Sequence, residues 1–211
     1  DSLQDWVAYT QNIVCKYYAE KVLIHGDPNY LPLVSDRVRM NNPSEIIQHL
    51  SDKIIYTGYV CNEKIKPHKK TTNNIFVSTG LNKEEGMLIF KEITKIADQF
   101  PNYKFIMPIA NRYLKNIKTK TKNNVVMVPY IKDMYKLLSS CALYITYGGY
   151  NSTMEIFKSN IPAIIIPRTD GEKLEQFVRA YTFESYNFFK VVSKSEFIKL
   201  PKVINKCLTD K

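Results

Sequence analysis

A chain of 211 residues, 45% hydrophobic and 24% charged, has room for one ordinary α/β domain with a sizeable core and for a piece of a second. The longest apolar run, Ile161–Pro167, is strand-sized and falls well short of the roughly 18 residues that a membrane-spanning helix needs. A formal charge of +10 admits anionic partners, nucleotides or an anionic membrane face among them, and equally fits a chain whose many lysines are simply scattered.

The chain opens on Asp1, with no initiator Met and no basic-then-apolar leader, and is expected to be part of a longer protein. Leu3–Tyr18 reads as a helix, Lys21–His25 as a strand, Glu45–Leu50 as a short helix and Lys53–Gly58 as a second strand. Two strands make no stable α/β domain, so residues 1–60 are expected to be the tail of a larger one. Residues 61–73 follow as a linker, polar, Lys-rich and interrupted by Pro67, with His68 solvated.

From Asn74 onward β-branched runs alternate with helix-length segments. Strands are expected at Asn74–Ser78, Tyr103–Met107, Asn124–Val128, Ala142–Thr146, Ala163–Ile166 and Phe188–Val192. Helices are expected at Lys83–Gln99, Asp133–Ser139, Ser152–Ser159, Glu172–Phe183 and Ser195–Leu208. Met87, Phe90, Ile93 and Ile96 supply the apolar stripe of the first of these. The alternation predicts a doubly wound α/β fold with a parallel sheet over residues 74–211.

Cys15, Cys61, Cys141 and Cys207 are scattered and lack Cys-x-x-Cys spacing, which argues against a zinc site or disulfide framework and for a reducing cytoplasm. The basic stretches Lys64–Lys70 and Arg112–Lys122 lack the interleaved aromatics of a strand-binding groove, so nucleic acid is not an expected partner. Arg168, Asp170 and Glu172 read as a solvent-facing charged loop.

The chemistry concentrates in Tyr147-Gly148-Gly149-Tyr150-Asn151-Ser152-Thr153-Met154-Glu155. Two glycines between a strand and a helix let the backbone turn tightly and aim N–H groups at an anion, where the helix dipole favours phosphate. Asn151, Ser152 and Thr153 add side-chain donors, and Glu155 can accept from two adjacent sugar hydroxyls. Ser152-x-x-Glu155 also fits a capping box that needs no ligand.

Taken with Pro129-Tyr130-Ile131-Lys132-Asp133-Met134, Ile161–Pro167 and Glu175-Gln176-Phe177-Val178-Arg179-Ala180, this segment resembles the C-terminal, UDP-sugar-binding domain of family 28 glycosyltransferases. That family is of GT-B fold and is similar to the UDP-glycosyltransferases. His25-Gly26-Asp27-Pro28 and Tyr56–Val60 look like the last stretch of the N-terminal domain in a bacterial branch of such enzymes.

The resemblance implies a nucleotide-sugar donor. Ile131 would hold the base through its main chain, Glu155 the ribose, and Gly148 and Gly149 through Thr153 the diphosphate. Glu175 and Gln176 would read the donor sugar, and Gly80 in Thr79–Asn82 would face the phosphates. Tyr147 stands where many relatives carry His or Arg, and Thr79 where a second glycine is usual.

The resemblance also implies transfer from a UDP-sugar to an unidentified acceptor without a metal or other cofactor. A missing N-terminal domain or partner subunit would complete the site, peripheral membrane contact is allowed, and the fragment alone is expected to be inactive. His25 is the local candidate for the catalytic base. A sugar-nucleotide epimerase or hydrolase on the same fold, or a non-catalytic module, are the alternatives.

Overall fold

The computed structural model describes residues 17–27, 51–78, 83–109, 122–168 and 174–209. The chain divides into two units, Asp1–Val60 and Cys61–Lys211. Apart from Tyr17 and Tyr18, the helices expected at Leu3–Tyr18 and Glu45–Leu50 lie outside the described residues, as do Gly80, Asp170 and Glu172.

In the first unit β1 (Val22–Ile24) pairs in parallel with β2 (Ile54–Tyr56), with Leu23 opposite Ile55. The Lys53 Nζ donates to the Ala19 carbonyl at 2.8 Å and ties the entries of the two strands together. His25 and Thr57, one residue beyond each strand, meet at 2.8 Å between Nδ1 and Oγ1.

The second unit is built on six parallel strands: β3 (Asn74–Val77), β4 (Lys104–Pro108), β5 (Val125–Val128), β6 (Leu143–Thr146), β7 (Ala163–Ile165) and β8 (Lys190–Val191). Their order is β5-β4-β3-β6-β7-β8, so the chain winds outward from β3 to one edge and then restarts beside β3 with β6. This is the doubly wound order with a switch point between β3 and β6, where the crevice outside the carboxyl ends receives ligands.

Side-chain alternation explains how the sheet is covered. Ile75, Val77, Leu143, Ile145, Ile164 and Ile166 join one core cluster with α1 (Lys83–Ile96) and α5 (Leu200–Thr209). On α1 the expected stripe holds: Phe90 and Ile93 are fully buried and Met87 packs against them. Each such Phe or Ile contributes about 1.5–3 kcal/mol by leaving water. Phe76 and Tyr144 point to the opposite face and stack at 5.2 Å. On that face Phe157 of α3 (Tyr150–Ser159) meets Phe183 of α4 (Leu174–Ser185) edge-on at 4.7 Å.

Three expectations are corrected. The closing helix is broken: a 3-10 segment, Lys194–Lys199, precedes α5, because Pro201 has no N–H to continue an α-helix through that point. His68 is half-buried, and its Nε2 donates to the Cys141 carbonyl at 2.6 Å. Around it, Lys69 and Thr71 donate to Ser139 and Ser140 at the end of α2 (Met134–Ser140), while the His68 N–H reaches Ser159 at the end of α3. Residues 61–73 thus form no helix or strand yet close two helix C-termini of the second unit. The third correction is the start of α3, which lies at Tyr150 rather than Ser152.

Candidate functional site

At the carboxyl end of β6 the chain must reverse from strand to helix within three residues. Gly148 makes this possible twice over. Its φ of +72° is costly for any side chain, and a Cβ there would lie 2.6 Å from Ile165 Cγ2 of the neighbouring strand. Gly149 is the N-cap of α3, with no side-chain cap, and a Cβ on it would meet nothing within 4 Å. The backbone N–H groups of the first turn therefore open toward the switch point, at the positive end of the helix dipole.

Starting α3 at Tyr150 puts Ser152 and Glu155 well inside the helix, so they do not form a capping box. Both are met instead by Tyr144, from the middle of β6. Its hydroxyl, with one proton to give, lies 3.2 Å from Ser152 Oγ and 3.4 Å from Glu155 Oε2 and shares that proton between them. Burial holds the Glu155 carboxyl above its ordinary range, and the Tyr144 hydrogen bond partly offsets this. Burial first, then the Glu155 charge, push the Tyr144 hydroxyl upward, so it stays a protonated donor.

Thr153 is turned the other way. Its Oγ1 donates to the carbonyls of Gly148 and Gly149, and its N–H to Gly149. Both donors are thus consumed in bracing the turn. In the first turn Asn151 is exposed and Ser152 half-buried.

Other sequence-derived residues gather at the same sheet edge. Ile131 lies half-exposed beyond the carboxyl end of β5, just before α2. Gln176 lies in the first turn of α4, and its Oε1 is sealed from solvent without a hydrogen-bond partner among the described residues. Glu175 occupies the same turn, but its side chain lies outside the described residues. His25 belongs to the first unit and is exposed.

Sequence reasoning missed the residues that surround the turn. Arg168 was read as solvent-facing, but its guanidinium stacks over the Tyr147 ring at 4.5 Å. Arg179, nearly buried on α4, reaches the Tyr150 ring at 5.9 Å. The signal for Tyr144 was available: its hydroxyl, placed in the middle of a fully buried strand, needs a polar partner on the covering helix. Cys141 is not part of the chemistry, since burial pushes its thiol up to about 12. Among the described residues no group of His, Cys, Asp or Glu is arranged to hold a metal ion, and no helix is long and apolar enough to cross a membrane.

A parallel sheet with this strand order, and a glycine turn feeding a helix N-terminus at its switch point, defines a doubly wound α/β domain. Residues 61–211 match the glycosyltransferase family 28 C-terminal domain, and the chain belongs to that family. It is 35% identical over 89 residues to the UDP-N-acetylglucosamine–N-acetylmuramyl-(pentapeptide) pyrophosphoryl-undecaprenol N-acetylglucosamine transferase of Carboxydothermus hydrogenoformans, an overlap of 41% of this chain and 24% of that protein. Its fold is similar to that of MurG from Acinetobacter baumannii, with a TM-score of 0.66 at 14% identity, covering 94% of this chain and 61% of that one. The spinosyn rhamnosyltransferase SpnG, solved with thymidine diphosphate, gives a TM-score of 0.61 at 15% identity over 94% of this chain and 62% of its own. The chain therefore spans about a quarter of the first relative and about three fifths of the two solved chains.

Proposed function

We propose that the second unit binds the nucleotide-sugar donor, a UDP-sugar, of a glycosyltransferase that passes the sugar to an acceptor hydroxyl. The observation that carries this reading is the start of α3, which has no side-chain cap, with a half-buried carboxylate about one and a half turns further along the same helix. The first supplies N–H donors and a positive dipole for a diphosphate, and the second can accept from a ribose diol. Ile131 would present its main chain to the base, and Gln176 with Glu175 would read the sugar. The departing diphosphate is stabilised by the helix N-terminus, which needs no metal ion.

Residues 1–60 are, in this reading, the tail of the acceptor-side domain, with 61–73 the joining segment. The base that deprotonates the acceptor has to face the donor across a cleft. His25 is the local candidate, at the carboxyl end of β1. Further sequence or a partner subunit would complete that wall, so the 211-residue chain alone should turn over at background. The relative named for an undecaprenol-linked substrate is compatible with a peripheral membrane setting.

Titration calorimetry with UDP, GDP, dTDP and ADP tests the donor reading. Binding of UDP in the micromolar to millimolar range, about −8 to −4 kcal/mol, is the expected result. Indifference to all four nucleotides would sink it.

A further inference from the structure

Tyr144 has a cost that its packing alone does not explain. A fully buried hydroxyl in the centre of a parallel sheet must find partners, whereas the neighbouring positions of β6 are filled by Leu143 and Ile145. The ring cannot shift to find others, because Phe76 of β3 stacks on it at 5.2 Å. The hydroxyl is thereby delivered to one place, between Ser152 and Glu155, which stand three residues apart on one face of α3. Ser78 and Thr146, at the carboxyl ends of β3 and β6, contribute further hydrogen bonds to it. This polar cluster lies at the switch point, directly behind the turn that the donor reading assigns to the diphosphate.

We propose that Tyr144 is a positioning residue: by donating to Glu155 Oε2 it fixes the carboxylate with its other oxygen available to the ribose, and so makes the site select ribonucleoside diphosphates over their 2′-deoxy counterparts. The inference rests on the donor-site reading and goes beyond it. Selection at the ribose is not a property of the fold alone, since a chain of the same fold is solved with thymidine diphosphate, whose sugar lacks the 2′-hydroxyl. A free carboxylate on a helix would rotate among several rotamers. One held by a buried donor presents a fixed acceptor, and a ligand lacking the matching hydroxyl leaves that acceptor unpaired. The 3.4 Å separation is long for such a bond, as is common for site hydrogen bonds that tighten when the ligand arrives.

Among the described residues the side chain that hydrogen-bonds Glu155 is Tyr144 from β6, which also meets Ser152 on the same helix. Lys158, one turn on, is exposed. Among the described side chains of α4, Arg179 brings a charge to the start of α3, over the Tyr150 ring. Because the Tyr144 bond favours the ionised carboxylate, its loss moves the Glu155 titration upward.

The test is calorimetry on the full chain with UDP and 2′-deoxy-UDP across pH, for the wild type, Tyr144→Phe and Ser152→Ala. The wild type should favour UDP by about tenfold, on the scale of a hydrogen bond to a charged group. Tyr144→Phe should narrow that ratio to about twofold, mainly by weakening UDP, and shift the acid-side midpoint of UDP binding to higher pH. Ser152→Ala removes one partner that competes with Glu155 for the hydroxyl, so the midpoint should move to lower pH with the ratio kept or widened, whatever the absolute affinity. This second variant guards against a Tyr144→Phe chain that fails to fold. A wild type that binds both nucleotides equally, or variants with unmoved ratio and midpoint, would overturn the proposal while leaving the donor reading standing. A wild type that binds neither nucleotide removes both.

Discussion

Two helices begin at the same edge of the sheet, and their first turns are built in opposite ways. At the start of α2, Asp133 is the N-cap and its Oδ1 accepts from the Lys136 N–H at 2.9 Å. At the start of α3 the N-cap is Gly149, which has no side chain to close the turn. The first helix closes one of its own donors with a side chain. Among the described residues no side chain caps the second, whose N-cap is a glycine. A helix terminus left without a side-chain cap at the switch point is a better pointer to a ligand than a glycine pair alone.

The comparison can be broken most severely at Gly148. Gly148→Ala forces a side chain into a left-handed backbone and against Ile165. We expect a loss of about 2–5 kcal/mol, from strain and overpacking together. For a unit of this size that lowers Tm by roughly 10 °C. A calorimetric melt equal to wild type would mean that the turn re-forms another way and that the open N-terminus is not dictated by the glycine.

Glu155→Gln probes function without disturbing the turn. UDP affinity should fall by about 1.5–3 kcal/mol, the worth of a hydrogen bond to a charged group. Stability should respond in the opposite sense. Because burial raises the Glu155 carboxyl in the folded chain, the ionised form weakens the fold at neutral pH, and the penalty fades as pH falls toward the ordinary carboxylate value. Glutamine carries no such penalty, so the variant should melt at or above wild type near pH 7, with the gap closing in acid. A variant that melts lower at neutral pH while binding UDP normally would make Glu155 a structural residue.

The smallest effect should come from the capped helix. Asp133→Ala removes a cap and should cost about 1 kcal/mol of stability. Its UDP affinity should match wild type in the same titration. A loss of affinity comparable to that of Glu155→Gln would erase the distinction between the two helix starts.

Most of the second unit was legible in the sequence because its signals are local. The six strands are runs of β-branched and aromatic residues bounded by polar turns, and the stripe of α1 falls where helical spacing puts it. The misreadings have physical causes. Ser152 and Glu155 resembled a cap because cap spacing and same-face spacing on a helix are both three residues, and only the position of Gly149 separates them. His68 read as solvated because its partners are backbone carbonyls at the ends of α2 and α3, which composition cannot reveal. Arg168 looked like a surface charge because the ring it covers arrives from another strand.

The burial of Cys141 also offers a clock. Cys61 and Cys207 are half-exposed, whereas Cys141 sits sealed just ahead of β6, its thiol held protonated far above neutral pH. A thiol reagent can reach it only during excursions that part β6 from its surroundings, so its labelling rate counts those openings rather than the chemistry of an exposed sulfur. Tyr144 lies three residues further along the same segment. A nucleotide that binds only the closed form should slow that clock in proportion to its occupancy, giving a readout of ligation that needs no catalysis and no acceptor.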